Sequence, residues 1–185
     1  MYTEELTSVK HPFEPVADKD SRILILGSFP SVKSRENMFY YGHPRNRFWR
    51  MLADIVQADV PQTIDEKKAL ILNNGFALWD TLAMCEIHAS ADASIRHEVP
   101  NDIPGIVKKY GIKAIMFNGS TSHRYFEKYY GKDAGLGGII KKALPSTSPA
   151  NAACSYERLV NEWGSAVNEL KEKILKEKIL KENKY

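Results

Sequence analysis

The chain has 185 residues, of which 43% are hydrophobic and 26% charged, and its 26 basic and 23 acidic side chains give a formal net charge of +3. This is the composition of one globular domain, and the near balance of charge excludes a protein that holds long stretches of nucleic acid by charge alone. Two cysteines are too few for a four-thiolate metal site, no apolar run approaches the roughly 20 residues that span a bilayer, and the acidic start Met1–Glu5 lacks the apolar segment of a signal peptide, so we expect a cytoplasmic protein.

The first part of the chain predicts a strand followed by a helix. Residues 1–21 are mixed in character and are predicted to form an N-terminal loop. The apolar run 22–26 stops at Gly27, which is typical of a buried parallel strand. Residues 32–45 are predicted to be a long loop, and residues 47–56 carry the apolar face of a helix.

The rest of the chain repeats this alternation. Residues 84–96 are polar and are predicted to be irregular. Further strands are predicted at 76–80, 113–117 and 139–144, and helices at 66–73, 103–110, 122–130 and 155–181. The pattern predicts an α/β fold, a three-layer αβα sandwich around a mostly parallel four-stranded sheet, with residues 22–170 as the domain and 171–185 as a charged helical tail.

Three of the predicted strands end in polar turns that contain Gly or Pro. The turns are 27–31, 118–120 and 145–149. Because the ligand crevice of a parallel sheet lies beyond the carboxyl ends of its strands, we expect these turns to open onto one side of the sheet.

The turns match none of the common nucleotide or hydrolase motifs. Pro30 removes one amide that a phosphate cradle would use, and no Lys-Ser/Thr pair opens a helix. The chain has no Gly-x-Ser-x-Gly elbow, and its five histidines lack the spacing of a zinc site. The aromatic side chains around Asn46, including Tyr41 and Trp49, suit stacking on a flat ring, although both rings could equally belong to the core.

Three segments together resemble the uracil DNA glycosylase superfamily, and most closely its branch that removes hypoxanthine from DNA. They are Gly27–Ser31, Tyr40–Trp49 and Leu144–Ala150. The resemblance implies a monofunctional DNA repair enzyme that flips a deaminated base out of double-stranded DNA and hydrolyses its N-glycosidic bond. Hypoxanthine is the expected base and uracil a second one. The resemblance implies no metal and no organic cofactor, and we expect a monomer.

The catalytic residues that the resemblance implies differ from those of the better-known branches. Phe29 stands where those branches carry an Asn, with an acidic residue nearby in others, so the usual water-activating side chain is missing. The resemblance assigns the positioning of the water to Asn46, with Asn37 as the alternative. Ser146 stands where other branches carry a His or Asn that stabilises the departing base.

The resemblance also implies how base and DNA are held. We expect Tyr41 to stack on the flipped ring, and the backbone amides of Ser28 and Phe29 to bind an exocyclic oxygen. Asp80 ends a strand at the place where related enzymes recognise the base. The segment after Ser146 resembles a loop that enters the minor groove, and its expected DNA contacts are Ser148, Pro149, Ala150 and Asn151. The alternative for this segment is a plain turn before the last helix.

Two other functions stay open from the sequence. Because Phe29 occupies the usual catalytic position, the alternative is a non-catalytic module that binds nucleic acid or nucleotides on the same scaffold. A generic α/β hydrolase of small molecules is the third interpretation, although no nucleophile–base pair supports it. In the tail, the five-residue repeat 172–176 and 177–181 indicates a solvated helix, with loose phosphate contact as the alternative.

Overall fold

Four parallel strands form the main sheet of the computed structural model, which describes residues 7–87 and 96–183. The strands of the chain are β1 (Thr7–Lys10), β2 (Ile23–Gly27), β3 (Phe76–Asp80), β4 (Leu82–Ile87), β5 (Arg96–Pro100), β6 (Ala114–Asn118) and β7 (Ile140–Leu144). The helices are α1 (Val32–Glu36), α2 (Phe48–Val56), α3 (Ile64–Leu72), α4 (Ile103–Tyr110), α5 (Ser120–Tyr130) and α6 (Tyr156–Glu182). The main sheet has the order β3-β2-β6-β7, and this confirms the predicted α/β class.

The central strand β2 divides its apolar run between two cores because successive side chains of a strand point to opposite faces. Ile23 and Ile25 pack in the core that contains α2, α3 and α6. Leu24 and Leu26 pack in the core on the other face, which α4 and α5 cover. All four are at most 1% exposed. The sandwich therefore has three layers, as predicted.

Local sequence signals fix the ends of the helices. Thr63 and Glu66 form a reciprocal capping box at the start of α3. Asp102 caps α4, and Gly111 ends it in the left-handed conformation. Ser155 accepts from the Arg158 amide and caps α6, so the predicted capping turn before the last helix is present.

A second, antiparallel sheet of order β1-β4-β5 corrects two predictions. Residues 1–21 were expected to be a loop, but β1 lies at Thr7–Lys10 and pairs with β4. Residues 84–96 were expected to be irregular, yet β4 runs to Ile87 and β5 starts at Arg96, while 88–95 lie outside the described residues. The strands are short, their residues include polar ones, and β4 and β5 pair with register shifts, so the sequence shows no clear alternation.

Two smaller differences concern the helices. The predicted loop 32–45 begins with the short helix α1, which Ser31 caps. The last helix, α6, continues to Glu182, so the expected helical tail is present over the described residues. Near its middle, hydrogen bonds from Lys142 and Lys173 lower the pKa of Glu169 to about 2. No helix of the described ranges is long and apolar enough to cross a bilayer.

Candidate active site

A cavity lies at the carboxyl ends of β2, β3 and β6, where the three polar turns meet. Its walls include every predicted catalytic and base-binding residue: Asn46, Ser146, Ser28, Phe29, Tyr41 and Asp80. Ser148 also lines it. Pro149, Ala150 and Asn151 lie outside this cavity, and Ala150 and Asn151 line a neighbouring hollow. Asn37, the alternative to Asn46, does not line the cavity, because its side chain is turned to the carbonyl of Gly42.

Gly27, the last residue of β2, allows the cavity floor to close tightly. A Cβ atom at Gly27 would lie 2.1 Å from Oδ1 of Asp80 and 3.1 Å from the hydroxyl of Tyr41. Only a residue without a side chain fits between these two groups. After Gly27, the N–H groups of Ser28 and Phe29 donate to no acceptor within the described residues, so both are free to bind a ligand.

Asp80 is held at the cavity floor by His11, which the sequence analysis did not single out. The Nε2 atom of His11 lies 2.8 Å from Oδ2 of Asp80, and the two side chains are only 3% and 5% exposed. Because a carboxylate oxygen only accepts, Nε2 carries the hydrogen of this contact, while Nδ1 lies 3.0 Å from the carbonyl oxygen of Phe13 and 3.2 Å from its amide nitrogen. The segment after β1 therefore contributes to the site.

Tyr41 combines a strained backbone with a buried hydroxyl. Its φ is 52°, in the left-handed region that a bulky residue rarely adopts. Its ring centroid lies 4.1 Å from that of Phe48 at a 31° tilt, and the Tyr41 side chain also lines the cavity. Burial raises the pKa of the Tyr41 hydroxyl, and the charge of Asp80 adds a smaller rise. The side chain of Asn118 acts in the opposite direction and lowers this pKa. No described atom completes a hydrogen bond of good geometry with this hydroxyl.

Asn46 is oriented by the start of α2. Its side-chain oxygen accepts from the backbone amide of Phe48 at 3.0 Å, and its backbone N–H donates to the carbonyl of His43. The side-chain oxygen keeps one lone pair, and the two hydrogens of the side-chain amide stay available. Asn46 therefore presents to the cavity a fixed polar group that can hold a water molecule.

The loop that carries Ser146 is folded by its own side chains and anchored by Asn118. The hydroxyl of Ser146 accepts from the amide of Ser148, and Asn151 donates to the carbonyl of Ser146. Asn118, at the end of β6, exchanges two hydrogen bonds of 2.9 Å with the buried Thr147. Loop and strand end are therefore held in one arrangement.

Arg47 ties the same loop to the beginning of α2. Its guanidinium makes five hydrogen bonds to carbonyls of the loop: those of Thr147, Cys154, Ser146, Ser148 and Asn151. The distances range from 2.6 to 3.4 Å. A planar guanidinium can serve several carbonyls at once, which a lysine cannot. Since Arg47 follows Asn46, the clamp fixes the loop relative to the residue that faces it across the cavity.

Comparison with known proteins identifies the family. The sequence profile of the Uracil DNA glycosylase superfamily matches residues 14–176, which is most of the chain. The chain belongs to the uracil DNA glycosylase superfamily. A Hypoxanthine DNA glycosylase of Methanosarcina acetivorans is 34% identical over 157 residues, covering 84% of this chain and 96% of the relative. A protein of the same name from Methanosarcina barkeri is 37% identical over 120 residues, covering 63% of this chain and 75% of the relative.

A solved structure of this superfamily has the same fold. It is the solution NMR structure of a protein from Methanosarcina acetivorans that is described as a candidate uracil DNA glycosylase. Its similarity to this chain has a TM-score of 0.75, and the two sequences are 31% identical. The match covers 89% of this chain and 99% of that one.

Four residues of this superfamily member support the cavity and were missed by the sequence analysis: His11, Arg47, Asn118 and Thr147. Arg47 and Thr147 lie inside segments that carry the resemblance, and Asn118 lies in a predicted polar turn, so the position of these three was a usable signal. His11 gave none, because its partner Asp80 is 69 residues away in the sequence. Among residues 7–87 and 96–183, no group of His, Cys, Asp and Glu could hold a metal ion.

Proposed function

We propose that this protein excises hypoxanthine from deoxyinosine in double-stranded DNA, acting as a monomer on a base flipped out of the helix. The names of the two Methanosarcina relatives support hypoxanthine as the base. The observation that carries the proposal is the cavity itself, in which Asn46 and Tyr41 share one space with Ser146. Eversion of the base is required because an enzyme cannot reach the glycosidic bond inside the duplex.

The Tyr41 ring, which lines the cavity, stacks on the flipped purine. The unoccupied amides of Ser28 and Phe29 then donate to the oxygen of the base, which gains negative charge as the bond to the sugar breaks. Asp80 accepts from the N1–H group, which hypoxanthine has and adenine lacks. His11 supports this role because it holds the Asp80 carboxylate in place and donates a hydrogen bond to it, which offsets part of its charge against the leaving base.

Asn46 places the attacking water. An amide is too weak a base to remove a proton by itself, so its contribution is orientation and polarisation of the water. The hydrogen bond from Phe48 fixes the direction of the Asn46 oxygen before the substrate arrives. The hydroxyl of Ser146, across the cavity, donates to the departing base, since its oxygen already accepts from Ser148.

The exposed tip of the loop after Ser146 fills the gap that the flipped base leaves. Pro149 is half-buried, Ala150 is exposed, and both are apolar, which suits a wedge between stacked bases. Ser148 contacts the flanking phosphates. Asn151 acts mainly inside the loop, because its side chain already donates to the carbonyl of Ser146.

An excision assay on labelled duplexes tests the proposal. The duplexes carry inosine, uracil, xanthine or an ordinary base opposite each normal base, and alkaline treatment reveals abasic sites as strand breaks. We expect the fastest excision from the inosine duplexes. Binding without strand breaks would instead support the non-catalytic module.

A matched pair of asparagine variants tests the catalytic assignment. We expect Asn46→Ala to reduce hypoxanthine release by about 100-fold or more, because the water loses its orienting group. Asn37→Ala is the control, since Asn37 lies outside the cavity, and it should keep the wild-type rate. Wild-type excision by Asn46→Ala, or an equal loss in Asn37→Ala, would remove Asn46 from this role. Thermal melting establishes that both variants are folded.

A further inference from the structure

A basic groove adjoins the cavity beside Tyr41 and Asn46. Its walls include Arg45, Arg50 and Lys67, and no Asp or Glu lines it. Tyr41 and Asn46 line both the groove and the cavity, so the two spaces adjoin each other. This space is called the basic groove below; Arg45 of the loop before α2, Arg50 of α2 and Lys67 of α3 contribute to its walls.

Four cations line the basic groove. Arg47 is engaged with carbonyls of the Ser146 loop, and Arg45, Arg50 and Lys67 form no salt bridge within the described residues. Arg50 lies over the ring of Tyr156 at 4.5 Å, and Lys67 lies 5.6 Å from the ring of Trp49, so aromatic faces rather than carboxylates support both charges. Partial burial lowers the pKa of Lys67, and an anion beside it would oppose that shift.

Two carboxylates that are close to these cations in the sequence are engaged elsewhere. Glu66, next to Lys67 in the chain, accepts from the backbone amides of Gln62 and Thr63. Asp54, one helical turn beyond Arg50, accepts from the hydroxyl of Tyr156. The positive charge of the basic groove therefore has no partner of opposite sign in the described part of the chain.

The hollow on the other side of the cavity has a different character. Ser120, Thr121 and Asn151 line it, and its one cation, Arg158, forms a salt bridge with Glu162 at 2.6 Å. Ser146 and Ser148 line both this hollow and the cavity. The cavity therefore shares wall residues with the basic groove and with the hollow, and of these two neighbours only the basic groove has cations without a salt bridge in the described residues.

We infer that the basic groove binds the phosphates of the damaged strand on one side of the flipped nucleotide. The inference rests on the proposed function, because it places the everted base in the cavity between groove and hollow. The partner is the sugar–phosphate backbone of DNA, and the contacts are those of Arg45, Arg50 and Lys67. Two or three such contacts explain how a chain with little net charge holds DNA in one direction.

The salt dependence of binding tests the inference. Affinity for a fluorescent duplex is measured between 50 and 200 mM NaCl, once with ordinary bases and once with 2′-fluoro-deoxyinosine, whose glycosidic bond resists cleavage. Each phosphate contact contributes about 0.9 to the slope of log affinity against log salt concentration. The groove variant Arg45→Gln/Arg50→Gln/Lys67→Gln should therefore reduce the slope by about 2 to 3.

The control removes the same charge from the end of α6. The variant Lys173→Gln/Lys176→Gln/Lys178→Gln loses three cations that pair with glutamates far from the groove. We expect its slope and its excision rate to equal those of the wild type. A slope unchanged in the groove variant, or reduced equally in both variants, would overturn the inference. Thermal melting shows whether each variant is folded.

Duplexes with the lesion near one end test the direction. Removing the nucleotides on the side that enters the basic groove should weaken wild-type binding more than removing those on the other side. In the groove variant this difference should disappear. A wild type that responds equally to both truncations contradicts the inference. These binding tests are independent of the excision assay. If the wild type shows the salt dependence and the asymmetry but excises no base, the proposed function is refuted and the inference about the basic groove stands.

Discussion

Replacing Arg47 by methionine removes the clamp on the Ser146 loop while keeping a side chain of similar length. Three of its five hydrogen bonds are shorter than 3.3 Å, at 2.6, 3.1 and 3.2 Å. A hydrogen bond with a charged partner contributes about 1.5 kcal/mol to stability, so these three alone would contribute about 4–5 kcal/mol. The loop is half exposed, so its carbonyls regain water, and we expect the free energy of unfolding to fall by about 2–3 kcal/mol.

The same change should also slow excision, although the protein stays folded. The loop carries Ser146, and a small displacement of a positioned group commonly costs about 100-fold in rate. Urea unfolding followed by tryptophan fluorescence gives the stability, and single-turnover release of hypoxanthine gives the rate. Arg47→Lys keeps the charge without the planar fork, so it should give an intermediate result.

The control for stability is Arg45→Met, because the guanidinium of this exposed neighbour contacts none of the loop carbonyls. Its free energy of unfolding should change by less than about 0.5 kcal/mol. The reasoning fails if Arg47→Met is as stable and as active as the wild type. It also fails if lysine restores both properties fully, since the charge alone would then suffice.

Three further predictions follow from the cavity floor and from α6. Tyr41→Phe removes a hydroxyl without a partner, so urea unfolding should show equal stability or a gain of about 1 kcal/mol, while Tyr41→Ala lowers excision; a loss of stability in Tyr41→Phe would contradict this. Gly27→Ala forces the Asp80 carboxylate aside and should abolish excision at a cost of about 3 kcal/mol in stability, whereas Gly138→Ala, where a Cβ meets nothing within 4 Å, should change neither. Because the pKa of Glu169 is lowered to about 2, its contribution to stability is present above pH 4.5 and is lost as the pH falls through 2. The difference in unfolding free energy between wild type and Glu169→Gln should therefore shrink over that range, and a constant difference would exclude the ion pairs as its cause.

Local patterns in the sequence predicted most of the main fold. The apolar run before Gly27 is a strand because its residues alternate between two buried faces, and the run itself shows that both faces are covered. Helix ends followed from capping residues such as Asp102 and Ser155, whose partners are three residues away. The place of the cavity followed as well, since parallel strands bring their carboxyl ends to one edge of the sheet.

The parts that only the tertiary structure decided depend on contacts between distant residues. The pairing of β1 with β4 is set by hydrogen bonds along strand edges, and the short sequences of these strands show no clear alternation that would mark it. His11 joins Asp80 across 69 residues, and Arg47 joins the Ser146 loop across about 100. The sequence placed Tyr41 and Asn46 in one segment of the resemblance and Ser146 in another, but the folded chain decided what holds them. The sequence shows which chemical group each side chain carries, whereas the partner that holds the side chain depends on tertiary packing.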